Sequence, residues 1–219
     1  MAKVNILEQF SQKKPDIQSI VESLIKRPGD IAEVVEALTV EKRAVKFAYE
    51  KTLRLVSERR PELIYPYFEV FVGLLDSENS FLKWGAIMTI GNLAAVDSDN
   101  RFEVVFKKYY APISGPTMVT AANIIGSSAK IALAKPELTR SITKEMLKVE
   151  KARYQRHGKL SPECRNVALG HAVDSFEKFF GQIEDKAAVI AFVKRQLKTR
   201  ENKSQKRPRD LFENMRTKR

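Results

Sequence analysis

A chain of 219 residues with 43% apolar and 30% charged residues has the material for one substantial core and a well-solvated surface. Nine Gly and nine Pro are too few for the many tight turns of an all-β fold, and no apolar run reaches the ~18 residues of a membrane span. The net charge of +12 is unevenly placed: residues 194–219 hold eleven Lys/Arg against three Asp/Glu, so this stretch supplies +8 and the other residues only +4. The N-terminus, MAKVNILEQFSQKK, lacks the apolar centre of a signal peptide. The single cysteine, Cys164, has no internal disulfide partner, which points to a reducing, cytoplasmic setting.

Apolar residues recur at a spacing near 3.6 almost throughout, and no stretch alternates with period two. Residues 1–14 read as an N-terminal extension. A first helix is expected over 15–26, with Ile17, Ile20, Val21, Leu24 and Ile25 on one face. Arg27-Pro28-Gly29-Asp30 breaks it, and Asp30 is placed to cap a short helix carrying Ile31, Val34, Val35 and Leu38. A longer helix follows over 40–59, then one opened by Pro61 and ending near Leu75. The turn Asp76-Ser77-Glu78-Asn79-Ser80 leads into a helix over 81–96. Helices over 101–114, 116–134, 136–154, 162–181 and 185–199 complete a helical body at 15–199. Several open on proline, whose missing N–H has no helical partner at that position anyway. Residues 200–219 read as a basic, flexible tail.

The segments repeat. Arg60-Pro61-Glu62-Leu63 returns as Lys135-Pro136-Glu137-Leu138 at a separation of 75 residues, close to two periods of about 37–40. Val45-Lys46-Phe47-Ala48 parallels Leu82-Lys83-Trp84-Gly85 at an offset of 37, and Ile90-Gly91 parallels Ile125-Gly126 at an offset of 35. Two helices per period make a hairpin that cannot bury its own apolar face, so neighbouring hairpins must stack.

The stretch from Leu74 to Ala94 resembles a HEAT repeat. Asp76 matches the turn aspartate, Leu82-Lys83 the aliphatic-basic pair, Ala86 the small residue and Ile90-Gly91 the aliphatic-glycine pair. Pro66 is similar to the kinking proline of HEAT first helices. Val45-Lys46 and Cys164-Arg165 match the aliphatic-basic pair in their own repeats, whereas Pro116-Thr117-Met118-Val119-Thr120 has no basic residue there. The resemblance implies an all-α, right-handed α-α superhelix, a HEAT-like solenoid of about four to five helical hairpins. It also implies that Asp76, Lys46, Lys83 and Arg165 lie on a ladder along the turns. A protein partner, such as an acidic or phosphorylated segment, is then expected on the concave face formed by the second helices, with the protein acting as a monomeric, non-enzymatic scaffold.

Signals for catalysis are weak. His157 and His171 each lie seven residues from Cys164, a spacing unlike the close ligand pairs of a metal site, and no phosphate-binding glycine loop or nucleophile elbow is present. No catalytic residue, metal or cofactor is assigned. The basic C-terminal region supports the competing expectation of a DNA- or RNA-binding protein, of the repair, chromatin or RNA-associated kind. Its candidates are Arg140, Lys144, Lys148 and Lys151 on one helical face, Arg153 and Arg156 beyond it, and Lys203, Lys206, Arg207 and Arg209 in the tail. In a nucleated cell, Lys206-Arg207-Pro208-Arg209 also resembles a nuclear import signal. Each basic stripe has an ordinary alternative, the solvated side of an amphipathic helix or a solubilising terminus. Trp84, Tyr109 and Tyr110 are the candidate aromatic contacts, with core packing as the alternative.

Overall fold

A computed structural model describes residues 5–40 and 43–201. The described chain is helical, apart from one short hairpin. The helices are α1 (Ile6–Phe10), α2 (Ile17–Lys26), α3 (Ile31–Val40), α4 (Arg43–Arg59), α5 (Pro61–Ile64), α6 (Phe68–Leu74), α7 (Ser80–Leu93) and α8 (Arg101–Tyr110). They continue as α9 (Met118–Ala134), α10 (Thr139–Leu147), α11 (Pro162–Phe179) and α12 (Lys186–Glu201), with strands β1 (Gln155–Arg156) and β2 (Lys159–Leu160) before α11.

Local chemistry sets most of these boundaries. Asp16 accepts from the Ser19 N–H at the start of α2, Asn79 from Phe81 and Leu82 at the start of α7, and Ser161 from Cys164 at the start of α11. Each side chain satisfies backbone donors that the first helical turn leaves free. Pro66 splits the expected helix after Pro61 into α5, a 3-10 turn at Tyr65–Tyr67, and α6, because proline offers no N–H to the ladder.

Within residues 1–14, read as an extension, residues 6–10 form α1: Asn5 caps it, Ile6 and Phe10 are buried, and the Phe10 ring meets Tyr49 edge-on at 4.6 Å. A five-residue helix offers a single i, i+4 apolar pair, too little for a periodic signal. One expectation is corrected here: the helix expected over 136–154 ends early. A 3-10 turn at Pro136–Leu138 precedes α10, another follows at Lys148–Lys151, and Ala152 is extended. The chain then forms the β1–β2 hairpin, an antiparallel pair that the helical reading of this connection did not contain.

Tertiary contacts group the chain into two compact units, 1–106 and 107–219. In the first, α4 packs against α2, α3 and α7, and α6 packs against α7. Leu53 and Val56 of α4, and Ile90 and Leu93 of α7, are fully buried, each contributing about 1.5–3 kcal/mol. In the second unit α9 packs against α11 and α10. Ser175 of α11 donates to the Ile125 carbonyl of α9 at 2.8 Å, and the Tyr110 and Ser128 hydroxyls lie 3.1 Å apart. Both α7 and α9 are buried around most of their circumference, as core helices of a layered fold are.

Candidate interaction surfaces

The first candidate surface lies where α4 meets α7. Phe81, one residue into α7, is 63% exposed. Its ring lies 5.5 Å from Phe47 of α4 and 5.3 Å from Trp84, both edge-to-face. Phe47 and Trp84 are half-buried, so they brace a ring that projects to solvent. Aromatic pairs of this geometry contribute about 0.5–1.5 kcal/mol beyond their burial. Lys51, one turn along α4 from Phe47, is exposed.

Close to this cluster in the sequence of both helices lies a buried polar seam. Glu50 is 7% exposed, and its carboxyl lies against Gly85 of α7, where a β-carbon would overlap it. Burial pushes the Glu50 carboxyl up to about 7, against the opposing effect of Arg54. The Arg54 Nε is 3.4 Å from the Glu50 Oε1, and neither atom is hydrogen-bonded. Arg54 also pairs with Glu58 at 3.1 Å. Further along, Asn92 donates to the Ser57 hydroxyl at 2.9 Å, and Ser57 donates to the Arg54 carbonyl at 2.7 Å. The seam was not among the sequence candidates. Its one sequence signal is Gly85 inside a helix, where glycine costs about 1 kcal/mol relative to alanine unless something must approach closely.

The ladder candidates fall as follows. Lys46 donates to the Thr39 carbonyl at 3.1 Å, tying α4 to the end of α3. Asp76 is exposed in the turn after α6, where its N–H meets the Gly73 carbonyl; Lys83 is half-buried in α7, and Arg165 is exposed near the start of α11. Tyr109 and Tyr110 are corrected as candidate contacts. Each is 1% exposed, with their rings 5.2 Å apart, and burial pushes both hydroxyls well above the usual tyrosine range. Helical phase turns them inward even though Lys107 and Lys108 beside them are exposed. Trp84 keeps a partly exposed ring.

The second surface is basic. Arg140, Lys144, Lys148 and Lys151 are exposed, while Ile142, Met146 and Val149 are buried opposite them. Lys148 is engaged by Glu145 at 2.6 Å. Arg153, Arg156 and Lys159 are exposed on the hairpin and its approach, while Lys203, Lys206, Arg207 and Arg209 lie outside the described residues. His157 is at the hairpin turn and His171 is exposed on α11, with Cys164 half-buried. Among the described residues no three His, Cys, Asp or Glu side chains gather as a metal site, and no helix is long and apolar enough to cross a membrane.

Comparison with protein-family models, with curated proteins and with solved structures finds no match to this chain.

Proposed function

We propose that the protein is a non-enzymatic scaffold of the HEAT type, a stack of helical hairpins whose second helices dock a protein partner. The observation that carries this reading is the Phe47–Phe81–Trp84 cluster on α4 and α7. Aromatic side chains held by their neighbours, yet open to water, lose little conformational freedom on binding and concentrate interface energy. Lys51 beside Phe47 favours a partner segment that combines an apolar anchor with acidic flanks. The buried seam beneath the helices fixes their spacing and hence the spacing of the three rings.

The test is site-specific photocrosslinking in cells of the source organism. A photoreactive phenylalanine analogue is placed at position 81 or at position 104, since Val104 is 86% exposed and lies outside the cluster. A discrete protein adduct is expected from position 81, none from position 104, and loss of the adduct when Trp84→Ser is added without a change in melting temperature. No adduct at position 81, or the same adducts from both positions, overturns the reading.

A further inference from the structure

The charge of the chain divides with its units. Residues 1–106 hold 14 Lys/Arg and 16 Asp/Glu, whereas residues 107–219 hold 25 and 11. Residues 107–193 alone hold 14 against 8. The second unit is therefore basic before the tail is counted, and such asymmetry between halves marks polyanion binding.

Its hairpin concentrates that charge. His157 and Gly158 have φ of 51° and 74°, the left-handed pair that a two-residue type I′ turn requires. The register places Arg156 directly opposite Lys159. Opposed residues share one face with their β-carbons about 5 Å apart, and like charges in that position repel. Both side chains are exposed, and neither has an ion pair among the described residues. Three carboxylates close to the hairpin in sequence have other partners. Glu150 is held by Arg195 at 2.6 and 2.9 Å and by Gln196 at 3.1 Å, Glu145 by Lys148, and Glu163 accepts from Ser161 at 3.0 Å.

The arm is nonetheless fixed at its root. Tyr154, 1% exposed, donates its hydroxyl to the Ile113 carbonyl at 2.7 Å. The Gln155 N–H donates to the Pro116 carbonyl at 2.8 Å, and Ser161 N–H to the Tyr154 carbonyl at 2.9 Å. A hairpin of two-residue strands is marginal by itself, so these anchors are what hold it. A connection between two helices needs neither the strands nor a repelling pair at their tip.

We infer that the 153–160 hairpin is a nucleic-acid-binding arm, in which Arg156 and Lys159, supported by Arg153, straddle a phosphodiester backbone. An external row of phosphates relieves the repulsion, which no ion pair among the described residues relieves. Arg140 and Lys144, exposed one turn apart on α10, spread cations over the same unit in the manner of a repeating polyanion rather than a single phosphate. Contacts of this kind position a backbone without reading bases, so sequence preference is weak. The arm is independent of the aromatic surface on α4 and α7, and stands or falls separately from it.

The test is fluorescence anisotropy with the full chain, using a labelled duplex DNA and a labelled single-stranded RNA over a series of salt concentrations. R156S/K159S is compared with K14S/K26S, which removes the same charge from exposed positions of the first unit. Wild type is expected to bind at low salt. R156S/K159S should bind about tenfold more weakly with a log–log salt slope shallower by about 1–2, and K14S/K26S should change affinity less than about twofold, as expected of charges outside the contact. R156K/K159R should restore the slope, because phosphate contacts need charge. Melting of R156S/K159S should be unchanged or raised, since a repelling pair is removed. Absence of wild-type binding, equal losses in the two double variants, or hairpin-dependent binding of anionic phospholipid vesicles without nucleic-acid binding would each overturn the inference.

Discussion

The carboxyl group of Glu50 on α4 occupies the space that a β-carbon would take at Gly85 on α7. The two helices approach closely there, and the missing side chain makes room for a buried acid whose ion-pair partner is the loosely placed Arg54.

Glu50 makes stability depend on pH. Its carboxyl is raised from 4.5 to about 7 in the folded chain, so the native state binds the proton more tightly than the unfolded state. Its contribution is therefore fully present below pH ~4.5 and is lost as pH rises through about 7, by about 3 kcal/mol at most. Glu50→Gln should flatten the urea-unfolding free energy between pH 5 and 8 and stabilise the chain above pH 7. A wild-type profile that rises with pH across this window, after subtraction of the Glu50→Gln profile, would contradict the assignment.

Gly85→Ala should destabilise the first unit by about 1–3 kcal/mol, the usual cost of inserting a methyl group into packed surroundings. This outweighs the gain of about 1 kcal/mol that alanine brings to a helix interior. Adding Glu50→Ala should recover most of the loss, because the overlapping group is removed. A double-mutant cycle by urea unfolding measures the coupling, and additive losses would place the strain elsewhere.

Asp97 joins three groups. Its Oδ1 accepts from the Tyr65 hydroxyl at 2.7 Å and the Arg101 N–H at 2.9 Å, and its Oδ2 accepts from the Phe102 N–H at 3.0 Å. Asp97→Ala removes the acceptor for the Arg101 and Phe102 N–H groups of the first turn of α8 and for the Tyr65 hydroxyl, a loss of about 2–4 kcal/mol. Tyr65→Phe alone should cost about 1 kcal/mol, and the double variant should cost less than the sum, as expected for direct partners. Guanidinium unfolding checks all three.

Tyr154→Phe leaves the buried Ile113 carbonyl without its donor, which costs about 1–3 kcal/mol. Hydrogen exchange should show faster loss of the Gln155 and Ser161 amide protons, since both bonds belong to the hairpin root, while amides in the middle of α9 keep their protection. Unchanged exchange at Gln155 would mean that the tyrosine does not secure the arm.

Most helices were legible because their signals are local. The apolar stripes of α2, α3 and α10, the prolines that open α5 and α11, and the Asn79 cap of α7 are fixed by residues a turn or two apart. The aromatic surface was only partly legible: Trp84 stood out as the single tryptophan, but exposure of Phe81 and its bracing by Phe47 depend on a residue 34 positions away. Tyr109 and Tyr110 show the converse, since adjacent lysines made them look available and packing against α9 residues such as Ser128 buried them.

The amino-acid sequence by itself determined a helical chain and the placement of its charge, because periodicity, caps and composition act over short spans. Only the tertiary structure decided that Glu50 is buried against Gly85, that residues 155–160 leave the helical pattern for an anchored hairpin, and that Arg156 faces Lys159. Those outcomes depend on which distant surfaces meet, and on backbone donors and acceptors such as Gln155 and Pro116 finding each other across 39 positions.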